Sequence, residues 1–307
     1  MSASRNGKVD SVSERRPGER RGLWRAAWML FGLVAAADAT ANSDQALQRF
    51  LANTARSHLT FDGVTSSTAR SVPTLVNHLY ELYVEGKWIT YFNESGTLFL
   101  NGTEFRVLLD GGKRDRFLSP DERQQLLEEV MKNLAWDKLV KVQYGTGGGR
   151  RIIERSALDC SICRMLELAL RNEAATLNTT FYIIPASLRP ISMGAEPTWR
   201  NVANIWCAPD RTQAWAAYWT TRAVPNPAQC EWNAHSAEEA SAAVADIFDK
   251  LGVRDVNSTP LFIAEDGQRI YLKFPQRPGG LEAAFGAKAR PEVHDSAHRW
   301  LTEGRGL

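Results

Sequence analysis

A mixed α+β architecture in two parts follows from three features of the chain. Between Leu79 and Leu109, short apolar stretches alternate with glycine-bearing turns, which predicts an antiparallel meander. From Ser119, a capped segment with one apolar stripe predicts a helix linking this meander to the second half of the chain. Beyond it, Arg151-Ile152-Ile153-Glu154-Arg155 reads as a strand, and Met165, Leu166, Leu168, Ala169 and Leu170 mark a helix. Between that strand and helix lies Asp159-Cys160-Ser161-Ile162-Cys163-Arg164.

Within the meander, Tyr80–Val84 ends at Glu85-Gly86 and Lys87–Phe92 ends at Asn93-Glu94-Ser95-Gly96. Thr97–Leu100 ends at Asn101-Gly102, a hairpin signal, and Phe105–Leu109 at Asp110-Gly111-Gly112. So small a sheet is expected to leave an edge and an apolar face open, and pairing with a second copy would cover them. Before it, a helix is expected around Gln45 to Arg56, then a Ser/Thr-rich loop at 65–68. Ser119-Pro120-Asp121-Glu122 is a cap with proline at the first helical position, and Leu126, Leu127, Val130 and Leu134 form the stripe. A strand at Leu139–Tyr144 precedes the glycine run 145–149, which reads as a hairpin turn because it lacks the spacing and the Lys-Ser/Thr of a phosphate loop.

After the cysteine helix come a buried strand at Thr180–Pro185, helical segments over Thr198–Trp219 and Ser236–Leu251, and a hairpin through Glu265-Asp266-Gly267-Gln268. Ser236 with Glu239 matches a capping box. A last helix is expected near Gly280–Phe285. Trp206, Trp215, Tyr218 and Trp219 fall on a helical pattern and read as core.

The 307 residues are enough for one large or two medium domains, and 44% apolar with 23% charged residues is ordinary for a globular protein. A net charge of +2 gives no argument for nucleic acid. Arg15, Arg16, Arg20, Arg21 and Arg25 precede an apolar run from Ala26 to Ala37, followed by small-residue cleavage patterns at Ala37-Asp38-Ala39 and Ala39-Thr40-Ala41. This predicts a secretory signal over 1–41, with an uncleaved anchor or a buried helix as the alternative. The run is short of the roughly 20 residues that a membrane-spanning helix needs.

Export makes the cysteines informative. A Cys-x-x-Cys opening a helix places its first sulfur among unpaired backbone N–H groups at the positive end of the helix dipole, a setting for a thiolate nucleophile. The second cysteine, one turn on, can resolve a mixed disulfide. Four cysteines allow three connectivities. In an oxidising compartment Cys207 and Cys230 are expected to form a structural disulfide worth about 3 kcal/mol. A zinc site would want a second close pair or a His pair, and Cys207 and Cys230 are too far apart in sequence to supply one.

Residues 79–285 resemble the periplasmic disulfide isomerases DsbC and DsbG. The resemblance rests on the turn Asn93-Glu94-Ser95-Gly96-Thr97-Leu98, the Cys160–Cys163 pair, Ile205-Trp206-Cys207-Ala208-Pro209-Asp210-Arg211, Cys230, and Ser258-Thr259-Pro260, in that order. It implies an antiparallel N-terminal dimerisation domain (42–118), a linker helix (119–137) and a thioredoxin-like catalytic α/β domain with a helical insertion (138–286), then a polar tail (287–307). It further implies Cys160 as attacking thiolate and Cys163 as resolving thiol, with Thr259-Pro260 as a cis-proline loop that pairs with extended substrate and Cys207–Cys230 as structural disulfide. The implied activity is isomerisation or reduction of wrongly paired disulfides in secreted proteins, in a homodimer served by a DsbD-type membrane reductase, with no bound cofactor. The resemblance departs at Glu154, Arg155 and Ser156, and in the Ser161-Ile162 dipeptide. Glu154 and Asp159 read as solvated strand ends. A redox-secondary chaperone or accessory protein of an envelope assembly is the second reading, and a net oxidase the third.

Overall fold

Tight turns set the first sheet. Glu85 and Gly86 both take positive φ, 51° and 79°, as a two-residue turn between twisted strands requires. There β2 (Leu79–Val84) folds back on β3 (Lys87–Asn93), and β4 (Leu98–Asn101) with β5 (Glu104–Leu109) continues the meander. Two more strands flank it, β1 (Ala69–Pro73) beside β2 and β6 (Arg114–Phe117) beside β5. The six strands follow one another in order, antiparallel throughout. The outer two carry little strand signal, since β1 closes on a proline and β6 reads Arg-Asp-Arg-Phe. This computed structural model describes residues 42–57, 64–226, 232–272, 279–285 and 299–303. The expected signal at 1–41 and Cys230 lie outside the described residues.

Both faces of the first sheet are covered. Helix α1 (residues 42–54) lays Ala46, Leu47 and Phe50 over Tyr80, Leu82, Phe92 and Phe99, with Phe50 and Phe92 stacked at 4.9 Å. Gly96 permits the approach, because it sits at φ +68° and a side chain there would strike the Phe50 backbone. The opposite face, including Leu79, Tyr91, Leu98 and Val107, joins the main core. The apolar face expected to receive a second copy is therefore filled from within the chain. Alternation in a strand shows that a face is apolar, but not what will cover it.

Helix α2 (Pro120–Lys132) begins at the Ser119 cap, and the Glu122 carboxylate accepts the Ser119 N–H in return. Expected as a linker, it is packed on its apolar side, with Leu126, Leu127, Val130 and Met131 in the core. Its buried Glu129 carboxylate accepts the N–H groups of Trp300 and Leu301. The stretch 299–303, expected within a polar tail, thus contributes two buried apolar side chains. The Trp300 carbonyl accepts from the Asn93 side chain at 2.7 Å.

The second sheet comprises β7 (Val140–Gln143), β8 (Arg150–Ala157), β9 (Thr179–Ala186), β10 (Leu261–Ala264) and β11 (Arg269–Ile270). Their order is β11-β10-β8-β9-β7, with β8 and β9 parallel and the other pairs antiparallel. The glycine run 145–149 is therefore no hairpin turn: β9 lies between β7 and β8, and the run carries the chain past it. Gly149 passes so close that a side chain would collide with the Asn178 carbonyl. Helix α3 (Ser161–Asn172) joins β8 to β9, as parallel neighbours require. The insert α4 (Glu196–Trp206), α5 (Arg211–Thr221) and α6 (Ala234–Lys250) separates β9 from β10, and α7 (Gly280–Phe285) follows β11. This is the thioredoxin-like order of elements. The helical stretch expected over 198–219 breaks at Cys207–Asp210, where the Asp210 carboxylate caps α5 by accepting the Gln213 N–H. Asn233 rather than Ser236 caps α6, and Ser236 is its reciprocal partner three residues in.

Candidate active site

Strand β8 runs through the middle of its sheet and stops at Ala157, and the next turn delivers Cys160 to the N-cap of α3. At that position the backbone is extended, so the sulfur folds over the first helical turn and accepts the Cys163 N–H at 3.2 Å. This donor points at the atom that carries charge when the sulfur attacks or leaves. The Tyr218 hydroxyl donates to the Leu158 carbonyl at 2.9 Å and holds the turn from the other side. Asp159 is exposed, as expected, but tethered, its carboxylate accepting from the Ser187 hydroxyl and the Leu188 N–H.

Both Cys160 and Cys163 are free thiols. Cys160 retains 6% exposure and Cys163 none. Burial pushes the Cys163 thiol well above its ordinary range, with the adjoining Cys160 sulfur adding to the rise. The pair is thus asymmetric: both sulfurs are buried, but only Cys160 keeps some access, while Cys163 has none and favours its protonated form.

The Thr259–Pro260 peptide bond is cis. The Thr259 carbonyl lies 3.6 Å from the Cys160 sulfur, across 99 residues of sequence, and accepts its S–H. On the helix that Cys160 caps, Ile162 and Met165 stand exposed, and elsewhere Leu188 and Met193 do so at 55% and 68%. Cys207 ends α4 and is disulfide-bonded.

Two carboxyls beneath the thiols escape the reading of the sequence. Glu154, expected as a solvated strand end, is fully buried in β8, because a central strand covered on both faces offers no route to water. Its carboxyl lies beside the Ser156 hydroxyl and the Glu167 carboxyl. Burial raises its pKa well above the usual carboxylate value, and the neighbouring Glu167 charge raises it further. Glu167 belongs to the buried stripe of α3 with Cys163, Leu166 and Leu170, and accepts the Trp215 indole N–H at 3.0 Å. Burial raises it too, to about 7. The Glu154 charge also acts on Cys163, raising the thiol. The available signal was spacing: Glu167 lies four residues after Cys163, hence on the same helical face.

No family model matches this chain, and no curated protein does. Among solved structures, a disulfide interchange protein from Neisseria gonorrhoeae is 20% identical, covering 50% of this chain and 100% of its own, with a TM-score of 0.36. DsbG of Helicobacter pylori is 10% identical over 64% of this chain and 93% of its own, TM-score 0.31. MdbA, a thiol-disulfide oxidoreductase from Actinomyces oris, is 16% identical over 50% and 88%, TM-score 0.26.

Proposed function

We propose that this protein exchanges thiols and disulfides in exported substrates, acting as an isomerase or reductase of wrongly paired disulfides. The observation that carries the reading is the free Cys160 thiol at a helix N-cap, between the Cys163 N–H and the Thr259 carbonyl.

The chemistry balances on these residues. Cys160, as thiolate, attacks one sulfur of a substrate disulfide. The substrate S–S bond breaks, its other sulfur leaves with the bonding pair and takes a proton, and a Cys160–substrate disulfide forms. A substrate thiolate can then displace Cys160, which is isomerisation and leaves the protein unchanged. Alternatively Cys163 loses its proton and attacks Cys160, releasing reduced substrate and leaving a Cys160–Cys163 disulfide. Two electrons have then passed from protein to substrate, and in this reading a DsbD-type membrane reductase returns them. Thr259 gates the first step: an extended substrate that donates a backbone N–H to its carbonyl displaces the Cys160 S–H from that acceptor. Glu154, whose charge acts on Cys163, would serve as the base for this thiol when it is present as carboxylate, its raised pKa matching a thiol better than an ordinary carboxylate does.

Reactivation of a scrambled-disulfide protein in a glutathione buffer tests the reading. Wild type restores activity, Cys160→Ala does not, and Cys163→Ala keeps isomerisation while losing net reduction. Wild type no better than buffer, with its two thiols still cycling, removes isomerisation. Ile162 and Met165, exposed on the helix that Cys160 caps, favour one further reading, a chaperone that holds unfolded chains. Cys160→Ala separates the two, because a chaperone keeps suppressing aggregation without the thiol.

A further inference from the structure

Thr259 faces two ways. Its carbonyl meets the Cys160 sulfur, and the residue also lines a cavity of about 220 Å³ shared with Arg155, Ser187, Arg189, Trp199 and Glu238. Thr259 thus joins the Cys160 sulfur to the cavity, and Ser187 and Leu188 of its lining hold the carboxylate of Asp159, the residue before Cys160.

Its polar inventory is unbalanced. Arg155, in β8 directly after Glu154, has no paired carboxylate among the described residues, and its buried Nε has no hydrogen-bond partner there. The buried Thr259 hydroxyl is without a partner too. Arg189 stands exposed and adds a second guanidinium. The one acid among the six, Glu238, has Oε1 engaged by the Ile191 N–H at 3.1 Å. A buried guanidinium nitrogen without a partner is costly, and so is an unpaired buried hydroxyl. Burial pulls the Arg155 pKa down from its ordinary value, which is that cost expressed as a proton affinity. A guanidinium fork beside a hydroxyl matches the two oxygens of a carboxylate.

We propose that this cavity is a carboxylate subsite, in which Arg155 and Thr259, with Arg189 at the opening, hold an acid group of the disulfide substrate while its sulfur reacts at Cys160. The proposal rests on the thiol–disulfide reading and adds no chemical step to it. Two sources supply such a group: a small carboxylate-bearing disulfide, or an acidic residue beside a cysteine in a protein.

The test uses the reduced full chain and three small disulfides: 3,3′-dithiodipropionate, 2-hydroxyethyl disulfide and cystamine, which are anionic, neutral and cationic. Each second-order rate is divided by the rate of the same disulfide with free dithiothreitol, which removes intrinsic reactivity. A second arm compares disulfide-linked peptides carrying Asp or Asn next to the cysteine. Wild type is expected to favour the carboxylate member by about tenfold in at least one arm, and rising salt to erode the preference. Preference confined to the small disulfides assigns a small molecule, and preference confined to the peptides assigns an acidic protein segment. Arg155→Gln brings the ratio toward one, Arg155→Lys keeps more of it, and Arg189→Gln at the exposed edge lowers it without touching the core. A charge-blind wild type, or a preference that survives in Arg155→Gln, overturns the subsite alone. A wild type that reacts with none of the disulfides removes the redox reading, and the subsite with it.

Discussion

Glu154 and Glu167 are two acids in a place without water, close enough for their charges to interact, beneath a thiol that must lose a proton to react. Neutral carboxyls are the inexpensive state there, and Trp215 steadies Glu167 through its indole N–H. Glu154 can take a proton from Cys163 only in the fraction of molecules that hold it as carboxylate, so the resolving step is expected to quicken as pH rises. In Glu154→Gln the Cys160–substrate disulfide is expected to persist, with the resolving step slowed by roughly 100-fold, the lower end of general acid–base effects. Single-turnover trapping by acid quench and mass spectrometry reads this directly. An unchanged resolving rate and pH profile would count against the role. Glu167→Gln is expected to shift that pH profile without abolishing it, since Glu167 acts only through Glu154.

At the scale of elements, α1 is the piece that completes the first sheet. Phe50 is fully buried against Phe92 and Phe99, so Phe50→Ala is expected to cost about 3–5 kcal/mol in denaturant unfolding. A loss below about 1 kcal/mol would mean that something other than α1 covers this face. The meander strands, the α2 cap and the helix after Cys160 were legible because each is written locally, in turn glycines, a Ser-Pro start and a stripe. What was not legible is pairing at a distance. Nothing near residues 145–149 announces that β9 will lie between β7 and β8. Ser236 looked like a cap because Glu239 follows it three residues on, but Asn233, with the same chemistry one turn earlier, takes that place. At the site, the two thiols were written in the spacing. Glu154 looked exposed because burial depends on strand order, which the local pattern does not carry.

Across the whole molecule the buried acids set a direction for stability against pH. Burial raises Glu81 from the usual 4.5 to about 7, with Glu239 and Asp246 of α6 adding to it, and raises Glu167 to a similar value. Between those limits the folded chain holds protons that the unfolded chain has released. This contribution is therefore complete below about 4.5 and is lost as pH rises through 7. Glu122 runs the other way: Arg116 holds it down at about 2, so its share is complete above 4.5 and is lost as pH falls. Urea unfolding is expected to show a higher midpoint near pH 5 than near pH 8, with Glu81→Gln and Glu167→Gln each flattening the slope. A midpoint that climbs across that interval would contradict the assignment. The clasp at Trp300 and Leu301 has a consequence in time. Asn93 and Glu129 wait for backbone groups that lie 207 and 171 to 172 residues further on. A chain synthesised from its N-terminus cannot close this clasp until residue 301 has left the ribosome. Until then the Glu129 carboxylate lacks its two backbone donors, so the nascent protein stays unlatched for nearly the whole of its synthesis.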